Sequence, residues 1–431
     1  MTGGATPTPE AVRAAVLSLR GMAEAFLERL AERSRDEPGI TRDTYGAGET
    51  WGHRVLAEHG RAAGLAVATD AAANTTVTWA GRDPAAARIL MGSHLDSVPH
   101  GGNFDGAAGV LAGLVAIEAL RGLGVAPRRD VVAMGIRAEE SVWFEVSYIG
   151  SRAALGTLPE GALAARRIDT GRTLAEHLAE CGGDPAALAA GRRSLDPASI
   201  LAFLEVHIEQ APSLVEAGLP VAVCTGIPGN VRYPNARIVG RHDHVGTPRR
   251  FRRDAAMAGA AFAMALDRLW AESEAAGRPL AVTLGRFHTD AAMHGLTTVP
   301  GAFHFSLDVR STDAAVLARV EAELAGIVRG IEAERGVVFE LGRRASAAVG
   351  PMDRRIAAAL TRGAAALGIP TMPLASPASH DAAAFAAAGV PVAMLFVRNP
   401  HGSHNPREAM AIEDFLDACA VLTSWVAEAA S

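Results

Sequence analysis

The strongest constraint on the fold is a repeated pairing of a short apolar run with residues of the kind that hold metal ions. ARILMGSH ends on His94, and DVVAMGIRAEE ends on Glu139 and Glu140. ILAFLEVHIEQ carries His207, and VAMLFVRNPHGSH reaches His404. Helix-like stretches, such as 106–122, separate the runs. Strand-like runs alternating with helical ones predict an α/β layer fold with a largely parallel sheet. In such sheets, ligands gather beyond the carboxyl ends of the strands. The polar residues that stop each run are therefore expected along one edge, close to one another.

The middle of the chain departs from this rhythm. From about 223 to 349 the order reads strand, helix, strand, strand, helix, strand, which predicts an open-faced βαββαβ sandwich. This makes 223–349 a small domain inserted into a larger one built from 1–222 and 350–431. A chain of 431 residues is long enough for both. Ahead of the first ligand-bearing run, periodicity predicts one helix over 10–34 and another over 51–64. The stretch 162–191 reads as a helical hairpin.

Composition narrows the function classes. The formal net charge is −6, and all 41 basic residues are Arg. Aromatic residues make up 5%, with no basic stripe interleaved among them, so nucleic acid is not an expected partner. Cys181, Cys224 and Cys419 form no CxxC pair, which favours free thiols over a disulfide framework or a cysteine zinc site. The opening residues MTGGATPTPEAV lack the basic and apolar regions of a secretory signal. The longest apolar run, near 390–397, falls far short of the ~20 residues of a membrane helix. A cytoplasmic protein with no membrane association is expected.

Each ligand-type residue also has an ordinary explanation. Asp105, at the start of a helix, reads equally well as its N-cap. Glu139 and Glu140 read as surface acids unless something cationic holds them. His207 alone is a polar residue at a strand end, and His401 competes with His404 in the last loop. What sets these residues apart is their convergence. His94, Asp105, Glu139, Glu140, His207 and His404 suffice for a site with two metal ions. Asp105 would lie between the ions, about 3.5–4 Å apart, with a histidine on each and a bridging water. One glutamate would bind an ion and the other take a proton from the water. Asp96, two residues after His94, would share its strand face. Such donors suit Zn²⁺, Mn²⁺, Co²⁺ or Ni²⁺ without choosing among them.

In order and spacing, these motifs resemble the amidase branch of the dinuclear metallopeptidase superfamily. That branch contains N-carbamoyl-L-amino acid hydrolases, β-ureidopropionases and allantoate amidohydrolases. The resemblance spans about residues 40 to 415 and rests on GSHLDSVPHGGNFDG, the EE pair, AFLEVHIEQ and GSHNPRE. It implies a dinuclear-metal exopeptidase-like catalytic domain with an inserted dimerisation or lid domain. His94 and His207 would serve the first ion, Glu140 and His404 would be further ligands with His404 on the second ion, and Asp105 would bridge the two. Asp96 would support His94, and Glu139 would be the general base. Relatives that cleave peptides generally use a carboxylate where this chain has His207.

The resemblance also assigns substrate residues. HDHVGTPRRFRRDA implies that His244 reaches the partner subunit's site in a homodimer and stabilises an oxyanion there. LDVR implies that Arg310 pairs with a substrate carboxylate, although an ion pair with Asp308 explains the same residues. Gln210, Thr297 and His380 would line the pocket. The implied reaction is metal-dependent hydrolysis of a linear amide or ureido C–N bond, as in an N-carbamoyl amino acid. An aminoacylase or dipeptidase on the same machinery, and a non-catalytic or biosynthetic relative, are the competing readings.

The chain departs from the family pattern near the expected substrate. Thr297 replaces an Asn in the TTVPG turn, and the HVGTP motif is one residue short. Ser141 and Trp143 stand where Gly and Arg are common, and Ala211 stands where Gly is. None of these is a predicted metal ligand. Thr lacks an amide NH₂ and has less reach than Asn, so an altered pocket is expected, with Trp143 reshaping it.

Overall fold

The four ligand-bearing runs form adjacent parallel strands. In the computed structural model, which describes residues 6–431, they are Val131–Ile136, Arg88–His94, Ile200–Ile208 and Val392–Val397, side by side in that order. Ala66–Thr69 and Thr75–Trp79 extend the sheet on one side, and Val221–Cys224 and Thr371–Leu374 on the other, giving eight strands. Thr75–Trp79 and Val221–Cys224 both join the central four antiparallel. Because the central strands run the same way, their carboxyl ends share one edge.

Both faces of this sheet are covered, which is why its strands read as continuous apolar runs. Ile89, Met91, Val131 and Ala133 point into a core shared with the helices Ala107–Gly122 and Ile412–Ala429. Leu90, Val132, Met134 and Phe203 point the other way, to a core containing Phe385 and Phe396. There the rings of Phe203 and Phe385 stack 3.9 Å apart.

Two glycines let the helix Ala107–Gly122 start directly over the strand ends. A Cβ at Gly109 would lie 2.3 Å from the Val206 carbonyl oxygen. Gly106 has φ +65°, and a Cβ there would lie 2.5 Å from the His94 ring. Together they seat Asp105 above His94. The N-cap position is Gly106, and no side chain caps this helix, so Asp105 is not spent on capping.

Other sequence expectations need adjustment. The helix expected over 10–34 is two, Pro9–Ser18 and Arg20–Ala31, interrupted at Leu19 (φ −90°, ψ 6°). The next helix is Ala47–Ala62. The supposed hairpin contains two short helices, Leu174–Glu180 and Pro185–Ala189, the first with a Thr173–Glu176 capping box. The inserted unit is Pro228–Gly350, so residues 223–227 stay with the first unit. The reason is that Val221–Cys224 is a strand of the eight-stranded sheet.

The inserted unit has its own antiparallel sheet. Gly229–Val239 and Ala302–Ser311 pair at its centre. Ala281–Thr283 and Phe287–Thr289 flank the second of these, and Val338–Glu340 and Ala345–Ala347 flank the first. Ala302–Ser311 buries every second residue, as expected when helices cover one face. Those helices are Ala255–Ala275 and Ala314–Arg335, and Phe262, Leu266, Val320 and Leu324 join Phe303, Phe305 and Leu307 in its core. The chain therefore has an α/β catalytic-type domain carrying an inserted βαββαβ sandwich. Among the described residues, no helix is long and apolar enough to cross a membrane.

Candidate metal centre

His94 is the last residue of its strand, and His207 is the last but one of its own. Their Nε2 atoms lie 3.4 Å apart. Asp105 Oδ1 lies 3.6 Å from His94 Nε2 and 3.2 Å from His207 Nε2. On its other side, Asp105 Oδ2 lies 3.3 Å from His404 Nε2, which is 3.3 Å from Glu140 Oε1. Two groups that could hold an ion thus form, His94–Asp105–His207 and Asp105–Glu140–His404, with Asp105 common to both. His401 is exposed and belongs to neither.

The hydrogen bonds of these side chains leave room for cations. His94 Nδ1 lies 3.0 Å from the Asp96 carbonyl oxygen, and His207 Nδ1 lies 2.9 Å from that of Ile208. Carbonyls only accept, so both Nδ1 atoms carry the proton. In a neutral ring this leaves a lone pair on each Nε2, and the two lone pairs face each other. Asp105 Oδ1, buried beside them, has no hydrogen-bond partner among the described residues. Three acceptors converging without a donor form a site for a cation.

Without an ion, protons take that role. Burial disfavours the charged form of His94, but Asp105 and Asp96 outweigh it and raise its pKa well above the usual value. His207 is raised against burial by Asp105. His404 is pushed up to about 11 by Asp105 and Glu140. Such histidines stabilise the fold fully below their unfolded pKa, and lose that contribution as pH rises through the folded value. The metal-free protein is therefore expected to melt at progressively lower temperature as pH rises from 6.5 towards 11. Loading with divalent ions should flatten this dependence. A flat melting profile in chelator-stripped protein would contradict it.

The remaining candidates occupy different settings. Asp96 lies beyond the strand, not on it, since the strand ends at His94. Its carboxylate accepts from the N–H groups of Glu139 and Glu140, both at 3.1 Å, and from the Thr44 hydroxyl at 2.5 Å. Asp96 Oδ1 is 3.4 Å from His94 Nδ1, so one aspartate joins the glutamate turn to the histidine. Burial raises the Glu139 pKa well above the usual range, helped by Glu140, Asp381 and Asp96 and opposed by His94. Gln210 donates from Nε2 to Asp105 Oδ2 at 2.9 Å.

His380 is buried behind His207, with ring centroids 4.3 Å apart. Its Nε2 lies 2.8 Å from the Ser376 hydroxyl, and burial, with His207 beside it, pushes its pKa well below the usual value. With Glu205 and His207 it forms a third possible ion-holding group. There, however, Glu205 already accepts from the Ser93 hydroxyl and the Ala382 N–H. Trp143 is buried. Its indole donates to the Ser97 carbonyl at 2.9 Å, and the Arg167 guanidinium lies 4.6 Å from the ring centroid.

His244, Thr297 and Arg310 belong to the inserted unit. His244 is exposed and accepts from the Gly246 N–H at 3.1 Å. The Thr297 carbonyl accepts from the Val245 N–H at 2.9 Å, which places the two residues side by side. Arg310 makes the ion pair with Asp308, at 3.1 and 3.2 Å, and Asp308 also accepts from Arg232.

With the fold and this edge in view, the chain belongs to peptidase family M20/M25/M40, whose family model matches residues 90–428. Within it, the chain is 36% identical over 391 residues to an N-carbamoyl-L-amino acid amidohydrolase of Geobacillus stearothermophilus, covering 90% of this chain and 93% of that one. It is 28% identical over 397 residues to an allantoate amidohydrolase of Bacillus subtilis (strain 168), covering 91% and 93%. Among solved structures, a hydantoinase/carbamoylase family amidase from Burkholderia phymatum superimposes with a TM-score of 0.82 at 28% identity, covering 95% of this chain and 97% of that one.

Proposed function

We propose that this chain is a metal-dependent amidohydrolase acting on a linear ureido or amide C–N bond, most simply that of an N-carbamoyl amino acid or related ureido acid. The observation that carries the reading is the pair of ligand groups meeting at Asp105, with Glu139 on the adjoining turn. His94, Asp105 and His207 would hold one divalent ion, and Asp105, Glu140 and His404 a second. Zn²⁺, Mn²⁺, Co²⁺ or Ni²⁺ bound there supplies an acidified water and a polarised carbonyl.

The chain's own groups do the rest. Glu139 takes the proton of the attacking water and returns it to the leaving nitrogen. Asp96 fixes His94 and the glutamate turn, and Gln210 steadies Asp105. Arg310 pairs with the substrate carboxylate, and Thr297 and His380 shape its surroundings. His244 of the partner subunit steadies the developing oxyanion in a homodimer built on the inserted unit. An N-carbamoyl amino acid would yield the amino acid, ammonia and carbon dioxide.

The test is a panel of N-carbamoyl, N-acetyl and dipeptide substrates, run on chelator-stripped and ion-reloaded protein. Reloaded protein should favour N-carbamoyl substrates by at least about tenfold in kcat/KM. Faster turnover of dipeptides would transfer the reading to a dipeptidase. Failure to take up ions would leave a non-catalytic relative.

A further inference from the structure

We infer that Glu408 and Ser403 brace Asp105 in its shared position and so set how tightly the chain holds both ions. Neither touches substrate, and both are positioning residues. The inference rests on the reading of Asp105 as the common ligand.

Glu408 comes from the loop after Val392–Val397, far along the chain from Asp105, and is 7% exposed. Its Oε1 accepts from the backbone N–H of Phe104 at 2.9 Å and of Asp105 at 3.1 Å. Its Oε2 lies 2.6 Å from the Ser403 hydroxyl, which is also 2.6 Å from Asp105 Oδ2. Glu408 thus holds the Asp105 backbone, and Ser403, with one proton to give, sits between the two carboxylates and donates to one of them at a time. The final torsion of an aspartate is broad, so the orientation that presents Oδ1 to one group and Oδ2 to the other needs fixing. Gly102 makes room for this grip, because a Cβ there would lie 2.3 Å from the Glu408 carboxyl carbon.

Burying a carboxylate is costly unless it is satisfied. Among the described residues Glu408 forms no ion pair, and its hydrogen bonds go to Phe104, Asp105 and Ser403. Its burial therefore secures the position of one residue, Asp105. Partners that orient metal ligands in this way typically govern affinity about 10–100-fold.

The test is calorimetric titration of chelator-stripped protein with Mn²⁺, together with melting of the metal-free form. Glu408→Ala and Ser403→Ala should each bind Mn²⁺ at least about tenfold more weakly than the wild type. Glu408→Gln should stay within about threefold, since its carbonyl still accepts both amides and its NH₂ donates to Ser403. A merely structural role would lower the melting temperature and leave Mn²⁺ affinity unchanged. Wild-type affinity in Ser403→Ala and Glu408→Ala would overturn the brace. So would a Glu408→Gln variant as weak as Glu408→Ala. A wild-type chain that takes up no Mn²⁺ would instead overturn the reading of Asp105, and the brace with it.

Discussion

Replacing Glu139 with Gln is expected to lower kcat on an N-carbamoyl substrate by roughly 10³-fold, while ion uptake stays at the wild-type level. The contrast follows from where Glu139 sits. Its N–H is held by Asp96, and its carbonyl accepts from the Tyr148 N–H at 3.2 Å. The backbone of the turn is thus fixed without help from the side chain. The ligand groups contain Glu140 but not Glu139. Gln matches the shape of Glu and is neutral, so it removes proton exchange and little else. Burial and neighbouring carboxylates raise the Glu139 pKa, which makes its carboxylate a stronger acceptor for the water's proton. Steady-state kinetics paired with metal analysis decides the matter. Substantial turnover in a fully loaded Glu139→Gln sample would remove Glu139 from the role of base.

The largest stability effect is expected at Glu49, which the sequence gives no reason to single out. Glu49 and Arg137 form a buried pair at 2.9 Å, with side chains 0% and 3% exposed. Glu49 also accepts from the N–H groups of Tyr45 at 2.6 Å and Ala138 at 2.8 Å. Glu49→Ala leaves Arg137 charged, buried and without its carboxylate, a change that typically costs about 3–5 kcal/mol. Because Ala138 precedes the glutamate pair, the damage should reach the turn that carries Glu139 and Glu140. Denaturant unfolding should therefore show a large loss in Glu49→Ala. Replacing Arg137 by Met as well should recover part of it, since the orphan charge is gone. A loss below about 1 kcal/mol in Glu49→Ala would mean that Arg137 finds another partner.

The contrast between Glu139 and Glu49 marks what could be read from the sequence. Glu139, Glu140, His94, His207 and His404 stand next to apolar runs, and a parallel sheet carries such neighbours to one edge. Local pattern was enough to bring them together. Glu49, Arg137, Ser403 and Glu408 act through contacts across long stretches of chain, and nothing beside them in sequence signals a partner. Glu408 left one usable sign, since GSHNPRE places an acid four residues after His404. The partner of Trp143 was equally hidden: a buried indole N–H seeks an acceptor, and the Ser97 carbonyl, far back in the chain, supplies it. The break at Leu19 also escaped, because the apolar spacing continues through it although the backbone does not.

The position of Val392–Val397 bears on how the molecule is made. It lies between Ile200–Ile208 and Val221–Cys224, so the last of the eight strands to be synthesised fills a gap between two much older ones. Val221–Cys224 joins the sheet only through that strand, its other neighbour being the edge strand Thr371–Leu374, so Ile200–Ile208 keeps an open edge while the inserted unit is translated. Open edges invite pairing with other chains. Completing the sheet is therefore a late, long-range step. His404 arrives only just after that strand, so the group Asp105–Glu140–His404 is assembled last of all.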